Sequence, residues 1–346
     1  MVPWLSGEHA GDPGRVHTEG RMARVAIEDA RDKVAALLGA RSREVVFTSG
    51  ATEAIHAAVF GAAARGGSVI VSSGVEHSAV RDASRRVAGV GVVEWPVDGS
   101  GRIDVGDIPP GTALVHCQWG NHEVATLQPV EEVVTRCRDA GVLVHVDAAA
   151  AAGHVPIAFD DLGADLMSVS AHKFGGPKGA GALLVRRGLR LEALLVGGEQ
   201  ERARRAGMEN VPAIVGFGAA AEAANVEVEA ARARALTARA LEGALAVEGV
   251  TAYGDVDSRL PHLVCVGVAG VEAEAVLLGL DQAGVAAHSG SSCSSESLEP
   301  SPVLEAMGVE AERSLRVSVG WSSTPDDVEA FVGAFAGVVA RLRSLR

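Results

Sequence analysis

VLVHVDAAAAAGHVPIAFDDLGADLMSVSAHKFGGPKGAGALLVRR, residues 142–187, holds three short apolar runs: VLVHVDA, DLMSVSA and GALLVRR. Each is rich in Val, Leu or Ala on both alternating faces, the pattern of strands covered by other elements on both sides. The same rhythm continues upstream. A helix spans 130–140, preceded by ALVHCQW (113–119), VVEWPV (92–97) and a helix starting near Ser78. Before these lie SVIVSS (68–73), a helix from Thr52 to Arg65, EVVFTS (44–49) and a periodic helix over 20–39 ending at Gly39. Short strands alternating with helices imply βαβ units, and hence an α/β fold with a mainly parallel sheet covered by helices. Downstream, 213–246 reads as one continuous Ala/Glu/Arg helix. HLVCVGV (262–268), a helix over 271–284, LRVSVGW (315–321) and a closing helix over 325–344 suggest a smaller α+β unit. The expected division is a large domain over 1–232 and a small one over 233–346 that carries Cys293, with the first fifteen or so residues packing on the small one. There is no internal repeat or low-complexity linker.

The 346 residues suit two domains, and a formal net charge of −13 disfavours a nucleic-acid surface, which needs clustered Lys and Arg. Arginine groups such as Arg202, Arg204 and Arg205 are diluted by acidic residues elsewhere. A small-molecule enzyme fits this balance, with neither nucleic acid nor membrane as partner. The start, MVPWLSGEHAGDPGR, lacks the basic-then-apolar form of a signal peptide, and no apolar run reaches membrane-span length. Cys117, Cys137, Cys265 and Cys293 have no disulfide-framework or metal-ligand spacing, so a cytoplasmic setting is expected. Cys117 and Cys265 sit in apolar strands and read as core, whereas Cys137, on a charged helix, reads as incidental.

Ser168-Val-Ser-Ala-His-Lys-Phe-Gly-Gly-Pro-Lys-Gly-Ala-Gly181 follows a strand and turns through glycines into the next. Glycines admit a ligand close to the backbone, and Ser170 and His172 offer donors to a phosphate. The chain has three lysines, and Lys33 lies in an amphipathic helix. An amine needed to form an imine is therefore Lys173 or Lys178. Asp147 ends a strand at the edge where ligands sit in open α/β sheets and can pair with a pyridinium nitrogen, although a plain strand-end aspartate fits as well. Gly50-Ala51-Thr52-Glu53 joins strand to helix, so its amides can hold a phosphate. Metal readings fail: His122-Glu123 has no second histidine at the zinc-protease spacing, and His145 and Asp147, though on one face, have no third ligand. Ser289-Gly-Ser-Ser-Cys-Ser-Ser-Glu296 surrounds Cys293 with small polar residues, the setting of an accessible thiol. Arg316 interrupts an apolar run, as an edge-strand residue or as a carboxylate clamp.

Taken together, FTSGATEA (47–54), EHSAV (76–80), NHEVATLQPV (121–130), HVDAAAAAGHVPI (145–157), SAHKFGGPKGAGAL (170–183), ENVPAIVGFG (209–218), SGSSCSSESLEPSPVL (289–304) and LRVSVGW (315–321) resemble the cysteine desulfurases, NifS/IscS-like group, of the class V aminotransferases with fold-type I. The resemblance runs from about His17 to the last helix. It implies pyridoxal 5'-phosphate as cofactor, with Lys173 rather than Lys178 as its lysine. It further implies that Asp147 pairs with the ring nitrogen and that His77 stacks on the ring and moves protons. Ala51, Thr52, Ser170 and His172 would hold the phosphate, Arg316 the substrate carboxylate, and Cys293 would carry the sulfur as a persulfide. L-cysteine as substrate, a sulfur-acceptor protein as partner and a homodimer are the corresponding expectations.

The chain departs from that pattern at several points. Asn121-His122 stands where the family has two asparagines, and Ala150 where it has a glutamine that bonds the cofactor's phenolic oxygen. His122 is expected to take over part of that bonding and to contact substrate. Arg205-Ala-Gly-Met208 replaces a motif whose threonine reaches the neighbouring subunit, and the usual opening strand is not recognisable before Gly11. Two other readings compete: another class V enzyme (aminotransferase, selenocysteine lyase or C–S lyase) working without a persulfide, and a scaffold subunit that has lost catalysis.

Overall fold

The computed structural model describes residues 1–7, 9, 11–289 and 300–345. Helices α1 (Val2–Leu5) and α2 (Thr18–Leu37) come first. Then β1 (Val45–Thr48), α3 (Ala51–Ala63), β2 (Val69–Ser73), α4 (Ser78–Arg86), β3 (Gly91–Trp95), β4 (Thr112–Gln118), α5 (Val130–Ala140), β5 (Leu143–Asp147), α6 (Phe159–Leu162), β6 (Leu166–Ser170) and β7 (Gly181–Val185) alternate. After α7 (Gln200–Ala203), α8 (Val211–Ala223) and α9 (Val226–Leu245), the chain runs through β8 (Val250–Tyr253), β9 (Leu263–Val268), α10 (Ala273–Gln282), β10 (His288–Ser289), α11 (Pro302–Ala306), β11 (Ser314–Ser318) and α12 (Pro325–Ser344).

The first seven strands form one sheet in the order β1-β7-β6-β5-β4-β2-β3. From β3 to β6 every pairing is parallel, while β7 runs antiparallel to both β6 and β1. The antiparallel step follows from the short glycine-rich link between β6 and β7, which leaves no room for a crossover helix. One face packs on α2, α5 and α8, the other on α3 and α4. Alternation serves this arrangement: Val115, Cys117, Val144 and Val146 face the first layer, Leu114 and Leu166 the second. Gly218 lets α8 lie directly on α2, since a Cβ there would be 2.6 Å from the Ala30 Cα.

The second sheet, β10-β11-β9-β8, is antiparallel throughout and covered by α9, α10 and α12. α12 opens with a capping box: the Thr324 hydroxyl accepts from the Asp327 amide, and the Asp327 carboxylate accepts from the Thr324 amide. The two units share apolar surface, because Leu260, Leu263, Cys265, Val303 and Leu304 belong to the core of the larger sheet.

Several expectations need correction. The helix over 213–246 is two helices that meet at an 80° bend. Asn225 makes the break by turning its side chain onto the Val228 amide as a cap, a role asparagine fills better than a helix interior. The N-terminal segment lies on α8, in the large unit and not the small one: Met1 reaches Gly216, where a Cβ would be 2.5 Å from the methionine sulfur. Cys137 is buried core, on the inward face of α5. Arg316 lies on an interior strand, since β11 runs between β10 and β9. Among the described residues no single helix is long and apolar enough to cross a membrane; α8 and α9 pass that test only when taken together across their bend.

Candidate active site

Because β1, β2, β4, β5 and β6 run the same way, their carboxyl ends share one edge of the sheet, where ligands of open α/β sheets bind. Gly50, Gln118, Asp147, Ser170 and the loop carrying His77 all lie along it and line a cavity of about 490 Å³ with Ala51, Thr52, His122, Ala150, His172, Lys173 and Lys178. That volume suits a cofactor-sized ligand (about 300–1,000 Å³).

At one side α3 presents its N-terminus. Ala51 and Thr52 occupy its first two positions, where amide groups have no intrahelical acceptor and the helix dipole favours an anion. Close packing fixes this end: a Cβ on Gly181 would be 2.6 Å from the Gly50 Cα. Ser170 Oγ and His172 Nδ1, 2.9 Å apart, lie alongside. Burial, reinforced by Lys173 and Lys178, holds the His172 imidazole below its ordinary pKa. Glu53, one residue beyond Thr52, is clasped by Arg205 through Nε–Oε1 and Nη2–Oε2 contacts of 2.8 and 3.2 Å. Burial pushes the Glu53 carboxyl up, but the bonds from Arg205 and the Ser49 amide outweigh it and leave the pKa lowered.

Across the cavity the Asp147 carboxylate is oriented by two donors, Ser168 Oγ at 2.8 Å and the Ala149 amide at 3.0 Å. Both bonds fall on Oδ1, so Oδ2 is available to a ligand. His77 caps α4, its Nδ1 accepting from the Ala79 amide at 3.0 Å, which fixes the proton of the neutral ring on Nε2. Its ring lies 5.1 Å from that of His122. A phosphate cradle, a carboxylate opposite it and a primary amine within one cavity match the donor set that pyridoxal phosphate requires, so the residues present fit the group.

Lys173, His122, Ala150 and His172 also border a second cavity of about 580 Å³ that opens toward the smaller unit. Arg316 reaches it from β11 and donates from Nη1 to the His122 carbonyl at 2.9 Å. This bond joins the small sheet to the loop 121–124. Cys293 lies outside the described residues.

Three features went unread in the sequence. Asn121 is fully buried and turns its side chain inward, accepting from the Glu123 and Val124 amides at 2.8 Å each. It shapes the loop that presents His122. Glu76 is buried, with Oε1 accepting from the Gln118 amide and Oε2 without a partner among the described residues. Burial first, and the charge of Asp147 after it, push its pKa up to about 8. His154 and His262 stack at 3.6 Å in the second cavity, and His154 Nε2 bonds the Lys173 carbonyl at 2.9 Å. Burial depresses the pKa of both rings, so the pair is neutral beside Lys173 and Arg316. His154 had no separate signal, and His262 is 108 positions away in sequence.

Residues 5–331 match the family model "Aminotransferase class-V". The chain belongs to that family. Over its whole length it is 40% identical to "Cysteine desulfurase IscS 1" of Archaeoglobus fulgidus, covering 94% of that protein. It is 38% identical to "Cysteine desulfurase IscS" of Dictyoglomus turgidum, covering 91% of it. A solved "NIFS-LIKE PROTEIN" superposes with a TM-score of 0.91 at 30% identity, over 99% of this chain and 94% of the other. Within class V the chain therefore belongs with the cysteine desulfurases, pyridoxal-phosphate enzymes with the fold-type I architecture, as the sequence landmarks implied.

Proposed function

We propose that this enzyme converts L-cysteine to L-alanine, taking up the sulfur as a persulfide on Cys293 and passing it to an acceptor protein. The observation that carries the reading is the placement of Lys173 at the junction of the two cavities. On one side are the α3 N-terminus and Asp147; on the other is Arg316.

Bound pyridoxal phosphate supplies an electron sink for charge left at the substrate Cα. The protein's own groups do the rest. Ala51, Thr52, Ser170 and His172 would hold the phosphate, and Asp147 would keep the ring nitrogen protonated. Lys173 would anchor the cofactor, and its amine, when free, could move the substrate Cα proton. His77 covers the ring, with its proton on Nε2 available for transfer. Arg316 takes the substrate carboxylate, oriented by its bond to the His122 carbonyl. His122 lines both cavities and supplies the hydrogen bond to the cofactor's phenolic side that Ala150 cannot. The Cys293 thiolate attacks the substrate sulfur: an S–S bond forms, the C–S bond breaks, and its electron pair is protonated on the way to alanine.

The enzyme works as a cytoplasmic homodimer in this reading. Exposed Leu195, Val196 and Met208, flanking the segment that carries Arg205, supply apolar surface for a second copy. The free thiols of Cys117, Cys137 and Cys265 suit a reducing compartment.

The test compares wild type with Cys293→Ala, measuring alanine and, with dithiothreitol, sulfide. Wild type is expected to release both in equal amounts, with a trapped extra sulfur on the peptide containing Cys293, and the variant to release neither. Undiminished activity in Cys293→Ala would overturn the persulfide step in favour of direct C–S lysis.

A further inference from the structure

The end of the large sheet opposite Asp147 gathers like charges in a chain whose net charge is −13. There the N-terminal end of β1 meets the C-terminal end of β7, and a concave cavity of about 560 Å³ is lined by Arg41, Arg43, Arg186, Arg187 and Arg204. Buried Glu44 builds this floor. Its Oε1 accepts from the Arg187 amide and its Oε2 from the Arg41 amide, both at 2.9 Å. That carboxylate is thus spent on backbone, holding two arginine-bearing segments together.

Arg41 pairs with Asp160 at 3.1 Å and Arg186 with Asp165 at 2.6 Å. Arg43, Arg187 and Arg204 have no carboxylate within ion-pair distance among the described residues. Half-buried Arg204 has, among the described residues, only long bonds to carbonyl oxygens, 3.4 Å to Val45 and 3.3 Å to Glu201. Burial, with Arg202 next, lowers its pKa to about 10. Guanidinium groups converging on one hollow repel one another unless an anion occupies it. Their planar forks match phosphoryl oxygens in bidentate fashion. A concave site of this volume suits a small molecule. A nucleic-acid backbone would need a longer basic stripe.

We propose that this groove binds a small anion bearing two or more phosphoryl groups, at a site separate from the cofactor cavity. Free polyphosphate and a nucleoside polyphosphate share that chemistry. The exposed Arg43 and Arg187 make the principal contacts, with Arg204 at the floor.

The test uses the holoenzyme, so that the cofactor's phosphate cradle is already filled. Pyrophosphate and ATP, without added metal, are titrated at constant ionic strength by calorimetry into wild type, Arg43→Ser and Arg187→Ser. The expected result is saturable binding of at least one ligand, weakened about tenfold or more in each variant, with desulfurase turnover unchanged in both. Tighter binding of pyrophosphate assigns free polyphosphate, and tighter binding of ATP a nucleotide. No saturable binding of either, or equal affinity in wild type and variants, overturns the proposal. An acidic protein or a second copy of the chain as the occupant would produce that negative result.

Discussion

Replacing Arg31 by methionine tests how the segment beside the active site is held. Arg31 and Glu201, both almost wholly buried, form a two-pronged pair with N–O distances of 2.6 Å on each arm. Arg31 also donates to the Val45 carbonyl at 2.9 Å and lies over the Phe47 ring, and Glu201 accepts from the Phe47 amide at 2.9 Å. The pair caps the outer edge of β1 and holds Glu201, Arg202 and Ala203 in left-handed backbone, at φ 47°, 59° and 60°. Removing Arg31 strands a buried carboxylate with a single amide donor, which costs about 3–5 kcal/mol. Glu201→Met leaves the buried guanidinium with the half-exposed Glu28 at 3.3 Å and the Val45 carbonyl, and is expected to cost about 3 kcal/mol, the lower end of that range. The double variant leaves no buried ion pair, only an unpaired Phe47 amide and a Val45 carbonyl with its 3.4 Å bond from Arg204, and is expected to cost about 1–3 kcal/mol. The assay is urea unfolding of the four proteins, read as midpoint at constant slope. The double variant should be more stable than either single. Additive losses would refute the account of a buried pair closing this edge. Because the same segment supplies Arg205 to Glu53 at the α3 N-terminus, both single variants should also bind pyridoxal phosphate more weakly.

Three further outcomes follow. Unfolded, the Glu76 carboxyl loses its proton near 4.5, and folded near 8. Its contribution to stability is therefore complete below pH 4.5 and lost as pH rises through 8, an upper limit of about 5 kcal/mol. Glu76→Gln should flatten the fall in urea midpoint between pH 6 and 8.5, and parallel curves would contradict this. Gly181→Ala places a Cβ against Gly50. Overpacking of about 1–3 kcal/mol at the phosphate cradle should weaken pyridoxal-phosphate binding roughly tenfold, measured by absorbance on reconstitution; unchanged affinity would show that the cradle yields. His154→Ala removes the bond to the Lys173 carbonyl. It should lower kcat more than it alters KM, with partial rescue by His154→Gln, and an equal loss in both variants would speak against positioning through that bond.

What was legible in the sequence were the features that chain-local pattern controls. Alternating strands and helices placed Asp147 and Ser170 at strand ends and Ala51 at a helix start, and parallel pairing then brings them to one edge. What local pattern does not encode was misread. Strand order in an antiparallel sheet is set by distant segments, so local pattern left an edge position open for Arg316 beside the carboxylate clamp, although β11 lies between β10 and β9. An alanine-rich run hides a helix break when a single Asn225 decides it. The charges of α5 face outward and masked the inward-facing Cys137. The stacking of His154 on His262, and the gathering of Arg43, Arg187 and Arg204, arise only when segments far apart in sequence are folded together.

Lys173 and Lys178 both border the cofactor cavity, but only Lys173 also borders the cavity that holds Arg316. Borohydride reduction of the pyridoxal-phosphate enzyme, followed by mass mapping of the modified peptide, decides between them. The account predicts a single phosphopyridoxyl label on Lys173 and loss of the visible absorbance. A label on Lys178, or no label on protein that has bound the cofactor, would contradict it.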